Sequence, residues 1–156
     1  MNDDTIRTRF LGRRLIVETP EGTEEYDTQF LVAALLVFIA RGSGRIEPEE
    51  SALMIKLIED YFDIEGAAAL DLITRAMDVL SGKPEVAEQL VQLAKAFSTS
   101  EQEAVAVMAL KVIAADGRRE FAEMEQFKFA METLSIPPET VHRAFDKYFE
   151  ETMPGL

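Results

Sequence analysis

The chain has 156 residues, of which 29 are acidic and 16 are basic, so its formal net charge is −13. A surface this negative repels a phosphate backbone, so we expect no nucleic-acid partner and instead expect cations or basic proteins. The absence of cysteine excludes disulfides, thiolate metal sites and cysteine nucleophiles. With 47% hydrophobic and 29% charged residues, the composition is typical of one globular domain.

The N-terminal residues Met1-Asn2-Asp3-Asp4 lack the basic start and apolar run of a signal peptide. The longest apolar run, residues 30–40, is shorter than the roughly 20 residues that a membrane-spanning helix needs. We therefore expect a cytoplasmic protein in which residues 30–40 form a buried core helix.

Helix start signals in the first half of the chain predict three helices. Asp27 or Thr28 can cap a helix over residues 29–41. Pro48 suits the first position of a second helix, whose early glutamates face the positive end of the helix dipole. Gly66 and Gly82 bracket a third, over residues 67–80, with Leu70 on its apolar side. Residues 14–18 have the sequence of a β-strand, but no partner strand is evident. An irregular helix before Pro20 would be an eighth helix.

The second half of the chain predicts four more helices. Pro84 opens the fourth, and Ser100 with Glu103 has the spacing of a capping box for the fifth, which runs through residue 115. The sixth covers residues 121–134. The seventh follows Pro137 and places Phe149 inward. The resulting fold class is all-α, with about seven helices.

Apolar residues at helical spacing define the expected core. Ten of them are predicted to be mostly buried: Leu35, Leu36, Ile39, Leu57, Ile58, Leu110, Ile113, Phe127, Leu134 and Phe145.

Two segments of the chain, residues 39–50 and 112–123, are alike at an offset of 73 residues. Each is an apolar helix end, a glycine-containing turn, an arginine and two glutamates that open the next helix. The helix that each repeat opens also ends in a similar sequence, residues 60–65 in the first repeat and residues 132–137 in the second. The repetition predicts two similar helical hairpins around one core, linked by residues 67–97. We divide the chain into a basic, irregular segment (1–28) and a helical domain (29–152) with repeats near 29–65 and 103–137.

The sequence Ala115-Asp116-Gly117, with Glu123 near the start of the next helix, resembles the TerB-like family, helical proteins named after a tellurite-resistance component. The resemblance covers about residues 30–149. It implies an all-helical fold, an association with stress response and acidic loop residues that bind metal, although the family's biochemical activity is poorly defined. The first repeat departs from the family pattern, because Ser43 stands where aspartate is usual.

Asp116, Glu120 and Glu123 are the candidate metal site. Carboxylates gathered at one turn offer the oxygen ligands that calcium or magnesium prefers. The EF-hand pattern is absent, and a local role in the turn and at the helix dipole explains the same residues. That local role is the favoured interpretation.

Ser43, Glu47 and Glu50 hold the equivalent places in the first repeat. Serine lowers both the charge and the number of ligands, so helix capping is favoured there. Any ion site is therefore expected at Asp116 and not at Ser43.

The remaining candidates favour structural roles. His142, the only histidine, is expected at the edge of the apolar stripe, held by Asp146 four residues later. The methionines are expected to fill gaps in the core. Four arginines near the N-terminus could bind an anionic membrane, but docking onto the acidic body is favoured; they are Arg7, Arg9, Arg13 and Arg14.

We interpret the chain as a non-catalytic, TerB-like module that binds a protein partner and a divalent cation, with no catalytic residues and no organic cofactor. One alternative is a carboxylate-based, metal-dependent hydrolase with its site near Asp116 and Glu123. Another is a peripheral membrane adaptor that uses the N-terminal arginines.

Overall fold

The computed structural model describes residues 7–41, 46, 48–115 and 121–152, without the side chains of residues 121–123. In this part of the chain, three strands precede seven α-helices, which confirms the all-α class with a small sheet added. The strands are β1 Arg7–Leu11, β2 Arg14–Thr19 and β3 Gly22–Asp27. The helices are α1 Thr28–Ala40, α2 Pro48–Phe62, α3 Gly66–Gly82, α4 Pro84–Leu90, α5 Thr99–Ala114, α6 Phe121–Thr133 and α7 Pro138–Thr152, with a 3₁₀ helix, Val91–Ala96, after α4.

The three strands form an antiparallel sheet in the order β1-β2-β3. The sheet corrects three expectations. The segment before α1 is not irregular, residues 14–18 are not without a partner, and no helix precedes Pro20 within the described residues. Two-residue turns join the strands, and Gly12 and Gly22 adopt φ values of 60° and 141°, which glycine reaches without strain. These glycines lie on either side of β2 and are the sequence signal for its two turns. The charged residues of β1 and β3 hide the alternation of apolar and polar residues that is typical of strands.

Helix α1 lies at the centre of the fold. Eleven of its 13 residues are buried, so it is apolar on all sides, as the sequence predicts for residues 30–40. It packs against β3, α2, α3, α5, α6 and the 3₁₀ helix. Its predicted cap is confirmed at Asp27, whose Oδ1 accepts a hydrogen bond from the Phe30 amide at 3.0 Å. From β2, Leu15 and Val17 join the same core.

The capping box of α5 lies two residues before the predicted one. Ser98 Oγ accepts from the Glu101 amide at 3.1 Å, and Glu101 Oε1 accepts from the Ser98 amide at 2.9 Å. Glu103 instead accepts a hydrogen bond from Arg143 of α7 at 3.3 Å. The helix thus begins earlier because Ser98 has the extended backbone that a cap requires.

The two predicted hairpins end in the same backbone motif. Adding the 73-residue offset to Pro48, the start of α2, gives Phe121, the start of α6. Past each helix a non-glycine residue is left-handed, Asp63 at φ 54° and Ser135 at φ 57°. The next amide, of Ile64 or Ile136, bonds to a carbonyl five residues back, at 3.2 and 2.9 Å. Both helices therefore stop in a Schellman motif with an isoleucine directed to the core.

Eight of the ten predicted core residues are buried, and Leu57 and Phe145 are partly buried against the same cluster. The inward placement of Leu70 and Phe149 is wrong, since they are 52% and 42% exposed. The predicted packing role of the methionines is confirmed. Met54, Met108 and Met131 are buried, and Met77 and Met124 pack against the core; this list is of described side chains.

Replacing Ile113 with alanine is expected to lower the free energy of unfolding by about 2–5 kcal/mol, because its side chain is 3% exposed within α5. Leu70→Ala, at an exposed site, is the control and should cost less than about 0.5 kcal/mol. Urea denaturation measures both. A cost for Ile113→Ala as small as that of the control would contradict the packing described.

Candidate functional site

The predicted metal site cannot be assembled from the described side chains. Asp116 and Glu120 lie outside the described residues, and Glu123 lies in α6 without a described side chain. Among the described residues, no group of three or more histidine, aspartate or glutamate side chains is arranged to hold a metal ion. The metal site therefore stays a prediction.

Glu50 has an unexpected environment. Ser43 and Glu47 of the same repeat lie outside the described residues, but the side chain of Glu50, in the first turn of α2, is 0% exposed. A glutamate that only offsets a helix dipole has no need to leave water, whereas a buried carboxylate requires compensating interactions. Glu50 thus has a role inside the protein that capping alone does not explain.

His142 lies on the surface. Its Nε2 is 3.7 Å from Asp146 Oδ2, as the spacing predicts, and the two side chains are 79% and 67% exposed. Both side chains are more exposed than expected for a position at the edge of the apolar stripe of the helix.

Arg13, in the turn between β1 and β2, ties the sheet to the helices. Its Nη2 lies 2.6 Å from Glu101 Oε2 and 3.3 Å from Thr28 Oγ1, and its Nη1 donates to Glu101 Oε1 and to the Ala96 carbonyl. One guanidinium thus joins the ends of the 3₁₀ helix, α1 and α5. The predicted docking onto the acidic body is confirmed for Arg13.

The Glu101 carboxylate serves both this ion pair and the capping box of α5. The Arg13 hydrogen bonds, followed by the Ser98 amide, hold the pKa of Glu101 below its ordinary value. The same hydrogen bond with Glu101 raises the pKa of Arg13. A bidentate pair of this kind is geometrically specific, so it orients the turn of the hairpin on the helices.

A second junction joins β3 to α3. The Tyr26 hydroxyl donates to Glu24, which also pairs with Lys83 Nζ at 3.1 Å. These two bonds lower the pKa of Glu24, and burial with the Glu24 contact raises that of Tyr26. Arg75 of α3 lies 5.9 Å from the centre of the Tyr26 ring in β3. The sheet is therefore fixed to the helical body at two places.

An apolar groove lies beside α1. Its volume is about 300 Å³, and the exposed atoms that line it are all apolar. Phe38 of α1 and Phe129 of α6 face each other with ring centres 6.0 Å apart. Phe129 is 58% exposed, which is unusual for so large an apolar side chain. The remaining lining residues are Leu31, Ala34, Leu35, Leu80, Ala87, Glu88, Leu90, Val91, Ala130, Thr133 and Leu134.

Sequence reasoning missed this groove, although α6 carries a signal for it. Phe127 and Phe129 are two residues apart, so on a helix they lie about 200° apart and cannot both enter one core. Phe127 is buried and Phe129 is exposed. A second depression, lined in part by Gln92, Lys95 and Gln102, adjoins the groove at Val91 and Leu134 and extends it with a more polar stretch.

Within the described residues, no helix has both the length and the apolar character needed to cross a membrane.

The chain matches a known protein family. The family model described as Tellurite resistance protein TerB matches residues 29–146, which is most of the chain. Searches of curated proteins and of solved structures found no match. The matched range covers every helix as far as the middle of α7 and leaves out the sheet.

The depressed pKa of Glu101 predicts a pH dependence of stability. Its contribution is complete above the ordinary value of about 4.5 and is lost as the pH falls through the lower folded-state pKa. Because Arg13 is about half exposed, the contribution is on the order of 1 kcal/mol. Glu101→Gln keeps a capping side chain, but it should reduce the loss of unfolding free energy between pH 5 and 3 by roughly that amount, which is measured by urea denaturation at each pH. Glu139→Gln, at an exposed site in α7, is the control; equal slopes in the two variants would refute the assignment.

Proposed function

The chain belongs to the TerB family, and we propose that it is a non-catalytic module that binds a partner protein through the groove beside α1. The observation that carries this proposal is a groove whose exposed lining atoms are apolar, on a chain whose net charge is −13. Exposed apolar surface that is gathered into one place is typical of interaction sites. The family description makes stress response the setting that we propose for this interaction.

The aromatic pair favours a protein as the ligand. Phe38 and Phe129 lie on two different helices, α1 and α6, so their relative position is set by the fold. Rigid aromatic side chains in apolar surroundings are the usual centres of protein interfaces. At about 300 Å³, the groove is at the lower end of the range for small-molecule pockets, and it lacks the converging polar groups that orient such ligands.

The groove also supports the non-catalytic part of the proposal. Of the residues that line it, Glu88 is the one with a titratable side chain, and it is exposed. General acid–base catalysis needs a group held against the reacting atoms, usually with a second group that orients it. The metal-dependent hydrolase remains the alternative, and metal-dependent turnover of a test ester that is abolished by Asp116→Asn would favour it.

A photo-crosslinking amino acid at position 129 is expected to capture a discrete protein in the native host, because Phe129 lines the groove and is exposed. The same amino acid at position 70 is the matched control, since Leu70 is similarly exposed at 52% but lies on α3 away from the groove. The purified captured protein should then bind wild type, and Phe129→Glu should weaken its Kd at least tenfold, as expected for an aromatic hot spot.

Leu70→Glu should leave that Kd unchanged. Equal capture at positions 129 and 70, or unchanged affinity of the Phe129→Glu variant, would refute the groove as the binding site. Both substitutions are at exposed positions, so the melting temperatures should stay near that of wild type.

Divalent cation binding is a second candidate function, motivated by the carboxylates Asp116, Glu120 and Glu123 around the turn of the second repeat. Glu50 corresponds to Glu123 at the 73-residue offset, so both repeats place a glutamate early in the helix after the turn. A hard cation gains from each carboxylate ligand. The proposed site contains Asp116, Glu120 and Glu123 and takes calcium or magnesium.

Calorimetric titration with calcium, magnesium, manganese and zinc tests this proposal at moderate salt, which screens nonspecific attraction to an acidic chain. Asp116→Asn should abolish saturable binding, and Ser43→Asp should create or strengthen a second site. Glu50→Gln, which tests a structural role, should lower Tm without weakening a cation held at Asp116. Absence of saturable binding to all four cations would remove this function and leave the partner proposal intact.

A further inference from the structure

The sheet presents an exposed surface that is separate from the groove. Among the described residues, strand β1 is at the edge of the sheet and pairs with β2 on one side. Four of its five residues are exposed, including the apolar Phe10 at 44% and Leu11 at 56%. The sheet also lies outside residues 29–146, so it is an addition to the matched family domain.

The register of the sheet shows which backbone groups of β1 face outward. A two-residue turn closes on a hydrogen-bonded pair, here Leu11 and Arg14, and such pairs alternate along an antiparallel ladder. The second hairpin agrees, because Thr19 and Gly22 close it and Thr19 has the opposite parity to Arg14 on β2. The amides and carbonyls of Thr8 and Phe10 therefore point away from β2, toward the open edge.

The side chains of β1 specify a charge. Arg7, Arg9 and Leu11 alternate with Thr8 and Phe10, so both arginines lie on one face of the sheet. That face is turned away from the core cluster, because Phe10 and Thr8 pair with the core residues Leu15 and Val17. Arg9 and Arg7 are exposed on it, although Ile16, which pairs with Arg9, is buried. Within the described part of the chain, Arg7 and Arg9 form no ion pair, whereas Arg14 on β2 pairs with Glu25 at 3.5 Å. In the register Arg7 lies across from Glu18, whereas Arg9 lies across from the apolar Ile16. Arg9 is therefore the arginine of this edge strand with no acid facing it, and it is suited to an acidic ligand.

We propose that β1 binds an acidic, extended peptide segment of a partner protein, which adds to the sheet as a fourth strand. The outward backbone groups of Thr8 and Phe10 hold its main chain. Residues of the added strand beside Arg7 and Arg9 are acidic, and those beside Thr8 and Phe10 are apolar, because neighbouring strands share the two-residue alternation. The ligand is thus a strand in which acidic and apolar residues alternate.

The structure favours this ligand over the two other occupants of such an edge. A second copy of the chain, paired antiparallel and centred on Arg9, would place Arg9 against Arg9, which is a like-charge contact. A membrane would need the hairpin tip to enter it. The turn residue Arg13 instead holds the tip against the helical body through Glu101, Thr28 and Ala96.

The probe is a capped eight-residue peptide of alternating glutamate and valine, with a lysine–valine peptide of the same pattern as the control. Binding is followed by amide NMR and hydrogen exchange on the whole chain. The glutamate peptide should bind saturably and protect the amides of Thr8 and Phe10, and the lysine peptide should not. Arg9→Glu should weaken binding of the glutamate peptide about tenfold and should permit binding of the lysine peptide. Lys95→Glu, an equal charge change on the 3₁₀ helix, should have less than a twofold effect.

Thr8→Pro separates strand addition from simple charge attraction. It removes one outward amide while leaving the inward hydrogen bonds to β2, and edge strands tolerate proline at such positions. It should abolish protection of Phe10 by the peptide with little change in Tm. Equal binding of both peptides, glutamate-peptide binding that survives Thr8→Pro, concentration-dependent dimerisation through β1, or tighter binding to phosphatidylserine vesicles would each overturn the proposal. None of these outcomes involves Phe129, so they are independent of the groove.

Discussion

Burial of α1 is the constraint on which the rest of the structure depends. A helix that is apolar on all sides is stable in water only when other elements cover it completely. The chain meets this requirement with α2, α3, α5, α6, the 3₁₀ helix and the sheet packed around α1. The neighbouring elements pack least closely against Leu31, Ala34, Leu35 and Phe38, which line the groove. The proposed binding site is thus the flank of the central helix that the chain itself leaves least covered.

Two charged junctions hold the sheet against this core. At one, the Glu101 carboxylate both caps α5 and accepts two hydrogen bonds from Arg13, so the start of a helix and the turn of a hairpin depend on the same group. At the other, Glu24 links Tyr26 to Lys83 across β3 and the end of α3. Some of the acidic residues therefore position basic side chains, as Glu101 does for Arg13 and Glu24 does for Lys83. Arg7 and Arg9 form no ion pair within the described residues, and both are exposed on the edge strand that is the second surface proposed for binding.

Much of the helical architecture could be predicted because its signals are local. Asp27, Pro48, Pro84 and Pro138 each mark a helix start that the structure shows, and the 73-residue offset relates the starts of α2 and α6. The sheet was missed because pairing between strands depends on distant residues, and the charges in β1 and β3 hide their alternation. The capping box was displaced because two serines, Ser98 and Ser100, each have a glutamate three residues later. Local spacing could not choose between them, whereas the contact of Glu101 with Arg13 does.

The groove illustrates the same limit for function. The sequence indicates that α1 is buried and that Phe127 points inward, but which helix flank stays open depends on how α4 and α6 are placed. Fluorine NMR of the chain labelled with fluorophenylalanine tests the central claim most directly, since the ten phenylalanines report on distinct surroundings. Addition of the protein captured at position 129 should shift the Phe38 and Phe129 signals and leave those of Phe10 and Phe149 unchanged. Unchanged Phe38 and Phe129 signals in a saturated complex would contradict the account.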